Sequence, residues 1–199
     1  MVDTVGVDVP DLDQDPLRQL DDWLEAARAA GDPMPHAMCL ATASAGGTPS
    51  ARYVLMRGRD EGVVFFTDYG SDKARDLGEN PTASAVFHWH VPVHRQVRVS
   101  GAVVKTTAEE SDQYWLTRPE ASRRSAVASK QSSVLPSRQV LEDAVSLLGD
   151  VAPPRPDRWG GYRIIPTAVE FWQEGPYRLH DRLRYLRERD GWRVDRLAP

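Results

Sequence analysis

The densest group of charged and reactive side chains in this sequence lies in residues 170–182, Glu-Phe-Trp-Gln-Glu-Gly-Pro-Tyr-Arg-Leu-His-Asp-Arg. A Gly175-Pro176 turn precedes Arg178, His180 and Arg182, which alternate along the chain. In an extended strand alternate side chains point to one face, so we expect these three residues to lie on the same side. Two guanidinium groups beside an imidazole suit an anionic ligand and proton transfer. The two neighbouring arginines therefore favour a functional role for His180 over a purely structural one.

Other clusters in the sequence combine a cation with hydroxyl or amide donors. They are Arg52 with Arg57 on one predicted strand, Lys73 just after a predicted helix start at Ser71-Asp72, the run Lys130-Gln131-Ser132-Ser133, and Tyr114 with Arg118 and Ser122 at four-residue spacing. The sequence contains neither Gly-x-Gly-x-x-Gly nor a P-loop pattern, so a phosphorylated ligand would need such side chains. A single exposed cation usually only solvates the surface, and the prediction therefore depends on the convergence of these clusters.

Three histidines, His88, His90 and His94, stand close together in the sequence. The residues beside them are Val91, Pro92 and Val93 rather than carboxylates, and no cysteine is near. Because a metal usually takes three or four protein ligands, we predict that these histidines pack at a strand end and that the protein has no metal site.

The composition limits the classes of partner. The 199 residues carry a formal charge of −4, which argues against nucleic acid or an anionic membrane as a partner. No apolar stretch approaches the roughly 20 residues of a membrane helix, and the acidic N-terminus does not resemble a signal peptide. The single cysteine, Cys39, excludes an intrachain disulfide and fits a reducing compartment. We therefore expect a cytoplasmic protein.

The elements that must position these groups are mostly strands separated by turns. Strands are expected over 37–43, 50–57, 63–67, 82–90, 95–105, 161–165 and 167–173, followed by a hairpin of 183–189 and 192–197. Helices are expected after Asp15-Pro16, from Ser71 to Leu77, from Thr107 to Arg118, and over 137–149. Strands joined by turns favour an antiparallel barrel, mainly β with flanking helices (α+β). We expect a flexible tail over 1–13 and one domain over 14–199.

The order and spacing of several short runs give the chain a resemblance to a known family. The runs are Arg52-Tyr53-Val54-Leu55-Met56-Arg57, Phe66-Thr67, Gly70-Ser71-Asp72-Lys73, Arg95-Gln96-Val97, Tyr114 with Arg118-Pro119, Ser129-Lys130-Gln131-Ser132-Ser133, Trp159-Gly160-Gly161-Tyr162-Arg163, Glu170-Phe171-Trp172-Gln173, Arg178-Leu179-His180-Asp181-Arg182 and Arg196-Leu197-Ala198-Pro199. Over residues 35–199 the chain resembles the pyridoxamine 5′-phosphate oxidase family. The resemblance implies an antiparallel Greek-key split β-barrel that is a homodimer, with flavin mononucleotide (FMN) at the subunit interface.

The resemblance also implies a role for each matching position. FMN would be bound by Arg52, Tyr53, Val54, Leu55, Phe66, Thr67, Asp72, Lys73, Gln96, Gln131, Ser132, Trp172 and Arg182. The substrate would be bound by Arg57, Tyr114, Arg118, Ser122, Arg178, Leu179 and His180, of which Arg178 and His180 would be catalytic.

The implied reaction is the oxidation of pyridoxamine or pyridoxine 5′-phosphate to pyridoxal 5′-phosphate. A hydride equivalent passes from the substrate to FMN, and O₂ reoxidises the flavin with formation of hydrogen peroxide. Arg57 and Arg118 would anchor the substrate phosphate, while Arg178 and His180 would orient the reacting group and assist proton movement. The expected partners are the phosphorylated small molecule, O₂ and a second copy of the chain.

Four features depart from the family's pattern. Arg57 stands where lysine is usual, Asp72 where a basic residue is common, and Val127 where the vitamin enzymes tend to carry tryptophan. The N-terminus also lacks the basic segment that covers the substrate. Flavin oxidases of phenazine biosynthesis share the Arg-Leu-His motif and lack that tryptophan, so oxidation of a larger tricyclic carboxylate is an alternative. A non-catalytic flavin or pyridoxal phosphate binding protein is a third hypothesis, since one fold hosts several functions.

Overall fold

The computed structural model describes residues 6–150 and 152–199, and its strands form one curled, antiparallel sheet. The strands are β1 Ala37–Ala43, β2 Pro49–Leu55, β3 Gly58–Arg59, β4 Val63–Asp68, β5 Thr82–Trp89, β6 Arg95–Lys105, β7 Trp159–Gln173, β8 Asp181–Glu188 and β9 Gly191–Arg196. Their order is β2-β1-β5-β6-β7-β4-β3, and β8 joins β7 to β9. The first half of β7 pairs with β4 and its second half pairs with β8, while β6 lies along its other edge. This branching strand gives the split barrel that the family resemblance implies.

Five α-helices flank the sheet within the described residues. They are α1 Pro16–Ala29, α2 Asp72–Glu79, α3 Ala108–Thr117, α4 Glu120–Ala128 and α5 Arg138–Ser146. The first begins as the sequence predicts, because the Asp15 carboxylate accepts the Leu17 N–H at 2.9 Å and Pro16 occupies the first helical position. None of these helices has the length and hydrophobicity that a membrane span requires.

The hydrophobic core lies between α1 and one face of the sheet. In β6, Val97 and Val99 are fully buried while Arg98 is exposed, which confirms the predicted alternation. Trp23 of α1 packs edge-on against Phe171 of β7, with 5.0 Å between ring centroids. Each such side chain contributes roughly 1.5–3 kcal/mol when it is fully buried. The polar residues of the same strands therefore lie on the opposite face, where a ligand can reach them.

Two elements differ from the sequence-based expectation. The strands expected over 161–165 and 167–173 are one strand, β7, and the register of β6 shifts opposite it between Ser100 and Gly101. This bulge accommodates Pro166, which cannot donate a ladder hydrogen bond; a Cβ on Gly101 would lie 1.9 Å from the Ile165 carbonyl oxygen. Helix α4 was not predicted, because its segment is polar and follows directly on Pro119.

Part of the predicted flexible tail makes contacts with the domain. Residues 1–5 lie outside the described residues, whereas Val9–Asp11 forms a 3-10 turn. The Val7 N–H donates to Asp181 at 3.0 Å, and Arg196 donates to the Val7 carbonyl and to Asp8, both at 2.9 Å. The segment before α1 is therefore attached to β8 and β9, and the flexibility of the remaining tail stays a prediction.

Candidate active site

The first group of predicted site residues surrounds a buried ammonium. We call Arg52, Thr67, Lys73, Gln131 and Ser132 the Lys73 cluster; they come from β2, β4, α2 and the loop after α4. Lys73 Nζ donates to Gln131 Oε1 at 2.8 Å, to Thr67 Oγ1 at 3.1 Å and to Ser71 Oγ at 3.3 Å. All three acceptors are neutral. Burial, together with the charge of Arg52, lowers the pKa of Lys73 to about 8.

The surroundings of the Lys73 cluster leave it positively charged. Arg52 donates to Thr42 Oγ1 at 2.6 Å and lies 3.7 Å from the Asp76 carboxylate. The Asp72 side chain is exposed and forms an ion pair with Arg75, while its backbone N–H donates to Ser132 Oγ at 3.2 Å. The acidic residue that departs from the family pattern therefore contributes a backbone donor. Asp68 and Asp72 also act on the Lys73 charge, but they form ion pairs with Arg158 and Arg75. The cluster therefore keeps a positive charge that favours an anion.

The second group, the Arg118 cluster, contains Arg57, Tyr114, Arg118 and Ser122. Tyr114 stacks on Phe66 with 4.0 Å between ring centroids, so a residue predicted for the substrate meets one predicted for FMN. The Arg118 guanidinium lies 4.6 Å from the centroid of Trp159 and donates to the Ser122 carbonyl at 3.2 Å. Its Nη1 is buried and has no hydrogen-bond partner among the described residues. Burial lowers the pKa of Arg118, and the positive charge of Arg57 lowers it further.

The third group, the Trp172 cluster, contains Gln96, Trp172, His180 and Arg182. Gln96, Trp172 and Arg182 lie side by side in the register of β6, β7 and β8. They line a cavity of about 320 Å³ together with Arg98 and Glu170. Arg182 donates to the buried Glu170 carboxylate at 2.8 and 3.0 Å, and Arg98 pairs with the same carboxylate. The cavity thus has one flat aromatic wall and a polar rim, which suits a planar heterocycle.

The expected alignment of Arg178, His180 and Arg182 is wrong. Pro176–Arg178 forms a 3-10 turn in which Tyr177 and Arg178 adopt φ values of 54° and 66°, so the segment is not extended. The turn places the His180 ring 4.7 Å from Trp172 and brings its Nδ1 within 3.2 Å of the Gly175 N–H. Nδ1 therefore accepts, and the proton of the neutral ring lies on Nε2. Arg178 and Leu179 are exposed beside this histidine.

The clusters occupy different parts of the molecule. Phe66 pairs with Gly161 of β7, whereas Gln96 and Arg182 pair with Trp172 of the same strand. Positions 161 and 172 are separated by roughly 36 Å of strand at about 3.3 Å per residue. One chain therefore brings the Lys73 and Arg118 clusters together but not the Trp172 cluster. The remaining predicted residues lie on β2, where Tyr53 is exposed and Val54 and Leu55 are half-buried.

Three further residues support the site and were not predicted. Glu170 and Arg98 form the ion pairs under the Trp172 cavity; the alternation of Glu170 with Trp172 along β7 was a usable signal for their shared face. Arg158 donates to the carbonyls of Ala126, Val127 and Ser129 at 3.1, 2.6 and 2.9 Å and pairs with Asp68. These bonds tie the end of α4 to β4, and no local sequence pattern indicated them.

Comparison with known protein families gives matches to most of the chain. Residues 24–152 match the model described as pyridoxamine 5′-phosphate oxidase. Residues 159–199 match the model described as the pyridoxine 5′-phosphate oxidase C-terminal dimerisation region. The second region contains all of β7, β8 and β9 and therefore most of the Trp172 cluster.

Individual relatives extend over the whole chain. The pyridoxine/pyridoxamine 5′-phosphate oxidase of Paraburkholderia xenovorans is 52% identical over 200 residues, covering 98% of this chain and 93% of the relative. That of Burkholderia thailandensis is 48% identical over 201 residues, covering 98% and 94%. Among solved structures, PhzG from Burkholderia lata in complex with tetrahydrophenazine-1-carboxylic acid is 35% identical, with a TM-score of 0.93 and coverage of 100% and 99%. A pyridoxamine 5′-phosphate oxidase-related, FMN-binding protein from Nostoc punctiforme, 19% identical with a TM-score of 0.75 and coverage of 93% and 98%, has the same fold.

Proposed function

The chain belongs to the pyridoxamine 5′-phosphate oxidase family, and on that premise we propose that it is an FMN-dependent oxidase of phosphorylated B6 vitamers. Its substrates would be pyridoxamine 5′-phosphate or pyridoxine 5′-phosphate, and its products pyridoxal 5′-phosphate and hydrogen peroxide. The names of relatives about half identical to this chain support the proposal, as does the presence of two separate cationic clusters for two phosphorylated molecules.

The Lys73 cluster is the observation that carries the proposal. A buried ammonium with only neutral partners and an arginine nearby is unfavourable unless an anion binds there. These residues fit the phosphate of FMN, and Gln96, Trp172 and Arg182 fit its ring system. When bound, FMN would supply the two-electron acceptor that O₂ regenerates.

The separation of the clusters supports a homodimer as the active form. An FMN held by the Lys73 cluster would not reach the Trp172 cluster of the same chain, because the strand positions beside the two clusters lie far apart along β7. A second copy would supply the missing half in a two-fold symmetric dimer, where each subunit gives the same surface to its partner. The family's C-terminal dimerisation region, matched over residues 159–199, contains the half that the partner would supply.

The remaining predicted residues then have distinct tasks. Arg57, Arg118 and Ser122 would hold the substrate phosphate, and the stacked Tyr114 would limit the position of the substrate. His180 would present its Nε2–H to the amine or alcohol at C4′, because Nδ1 faces the Gly175 N–H. Arg178, exposed beside His180, would orient the same group. Such positioning of reacting groups is worth on the order of 10²-fold in rate.

A second candidate substrate is a phenazine-type carboxylate. The solved structure of PhzG, 35% identical to this chain, contains tetrahydrophenazine-1-carboxylic acid, and the smaller Val127 stands where the vitamin enzymes tend to have tryptophan. The Arg118 cluster argues against this candidate, since several cations exceed what one carboxylate requires.

The deciding experiment mixes the FMN-loaded protein anaerobically with pyridoxamine 5′-phosphate. The absorbance of the oxidised flavin is then measured over time. We expect rapid bleaching, recovery on admission of air, and one pyridoxal 5′-phosphate per flavin reduced. Bleaching by a dihydrophenazine carboxylate alone would favour the second candidate. A yellow protein that neither compound bleaches would indicate a non-catalytic binding protein.

A further inference from the structure

Helix α4 carries an arginine, Arg123, that has no part in the site as described so far. Its Nε is buried and has no hydrogen-bond partner among the described residues. A buried guanidinium N–H without an acceptor is costly, and arginine usually places such a group against a carboxylate or a phosphate. The Arg118 Nη1 is the second buried nitrogen of this kind in the same region.

Arg123 lies close to the Arg118 cluster, because the Arg118 guanidinium donates at 3.2 Å to the carbonyl of Ser122, the residue before Arg123. Burial lowers the pKa of Arg118, and the positive charges of Arg57 and Arg123 add to that effect. In the described part of the chain, no aspartate or glutamate comes within 4.0 Å of any of these three guanidinium groups. The acid closest in sequence, Glu120, faces Arg124 instead, at 3.8 Å. Three cations therefore share one region without a neutralising carboxylate.

The local backbone adds further donors to this region. Helix α4 starts directly after Pro119, and this N-cap residue makes no side-chain hydrogen bond to the helix N-terminus. Ser122 lies in the first turn, where N–H groups have no partner within the helix. These donors and the helix dipole favour an anion and act together with the arginines.

We propose that Arg123 is a third cation of the substrate anion site, and that it makes this site selective for a doubly charged phosphate monoester over a singly charged carboxylate. The inference rests on the proposed function, because it assigns a specificity to the same substrate site. A phosphate monoester carries about −1.5 to −2 charges at pH 7, so it gains more from a third cation than a carboxylate does. Arg123 is thereby the residue that separates the two candidate substrates.

The test uses the FMN-loaded, full-length protein and two charge-removing variants on the same helix. Arg123→Gln removes the proposed ligand, and Arg124→Gln removes an equal charge from a neighbour that already interacts with Glu120. Binding of pyridoxal 5′-phosphate, unphosphorylated pyridoxal and inorganic phosphate is measured by calorimetry at low salt. Flavin content and circular dichroism verify that each variant folds.

We expect Arg123→Gln to raise the Kd of pyridoxal 5′-phosphate and of inorganic phosphate by roughly tenfold, the loss of one charge-assisted hydrogen bond. The Kd of pyridoxal should not change, and Arg124→Gln should change each Kd less than about twofold. Arg123→Lys should recover part of the affinity because it keeps the charge. The effect of Arg123→Gln should shrink below pH 6, where the phosphate loses its second charge.

The outcomes separate the two proposals. The role of Arg123 would be overturned if both glutamine variants lost equal affinity for phosphate, or if Arg123→Gln lost none. This holds even if the wild-type protein forms pyridoxal 5′-phosphate. If the wild-type protein does not oxidise pyridoxamine 5′-phosphate, yet binds inorganic phosphate through Arg123, the anion site stands and the proposed reaction fails.

Discussion

Lys73 places an ammonium group where water is largely excluded, so the binding of an anionic cofactor there depends on its protonation. Its pKa of about 8 lies below the ordinary 10.5 because burial disfavours the charged form. In the ligand-free protein this charge costs stability below about pH 8, and the cost disappears as the pH rises toward 10.5. A bound phosphate has the opposite effect, because it stabilises the ammonium and raises its pKa again.

We therefore predict that FMN binding weakens with pH from about pH 8 upward. The Kd should rise by up to about tenfold per pH unit, the limit for the uptake of one proton on binding. Flavin fluorescence titrations between pH 7 and pH 9.5 would measure this slope. Lys73→Met keeps the apolar stem and removes the titrating group, so its weaker binding should be independent of pH. A wild-type slope that persists in this variant would assign the titration to another group.

A variant of Arg178 tests which residues are catalytic. Arg178 is exposed, and no ion pair or side-chain hydrogen bond involves it among the described residues, so Arg178→Ala should fold normally and retain FMN. We predict a fall in kcat of about 10²-fold with pyridoxamine 5′-phosphate, the cost of losing a positioning contact. Single-turnover flavin reduction gives the rate directly. An unchanged rate would remove Arg178 from the mechanism.

The residue clusters could be recognised from the sequence, but the geometry of the Arg178 segment could not. The expectation of an extended strand failed because Tyr177 and Arg178 adopt positive φ values, which non-glycine residues rarely adopt. The close approach of Gly175 to Leu179, where a Cβ would lie 2.0 Å from a carbonyl oxygen, shows how tightly this turn folds. Such a turn depends on tertiary contacts that a local pattern does not contain.

At the scale of elements, the position of the loop after α4 depends on one side chain, Arg158. Arg158 donates to three carbonyls at the end of α4 and pairs with Asp68 beside Thr67. A cation at a helix C-terminus is favourable, and here it also fixes the approach to Gln131 and Ser132. The loop can therefore present these two residues to Lys73 without a long strand or helix of its own.

We predict that Arg158→Ala weakens FMN binding by roughly tenfold, since a lost charge-assisted bond costs about 1.5–3 kcal/mol. The free energy of unfolding should fall as well, because the buried Asp68 carboxylate loses its ion-pair partner. Calorimetry and limited proteolysis near residues 129–137 would show both effects. Arg138→Ala, which removes an exposed arginine that forms an ion pair with Glu142 of the same helix, serves as the control. Equal FMN affinity in the two variants would contradict the role of Arg158 as an anchor.

Local sequence patterns predicted the exact first and last residues of some strands and failed for other elements. Strand β1 matches because it is a short apolar run that turn residues bound, and β6 matches because polar and apolar residues alternate over its first half. The expected break at Pro166 was wrong, since the register shift opposite it preserves the strand. Helix α4 has no buried residue, so its stability depends on contacts such as those of Arg158 rather than on an apolar stripe.

At the scale of the whole molecule, the sequence predicted which residues form the candidate site but not how they are distributed along the sheet. Lys73 and Arg118 lie near the β4 end of β7, and Trp172 lies near the β8 end. That distribution follows from the length of β7, 15 residues, and from its pairing with different neighbours along each half. In the proposed homodimer, a complete site would combine the Lys73 half of one subunit with the Trp172 half of the other.

This arrangement predicts complementation between two inactive variants. Lys73→Met damages the first half and Arg178→Ala the second, so each homodimer should be nearly inactive. A heterodimer of the two, co-expressed with different affinity tags and purified on both, contains one site with both changes and one with neither. In a symmetric dimer with shared sites, it should show about half of the wild-type activity per dimer. If both halves came from a single chain, every site would carry one change and the heterodimer would be as inactive as its parents.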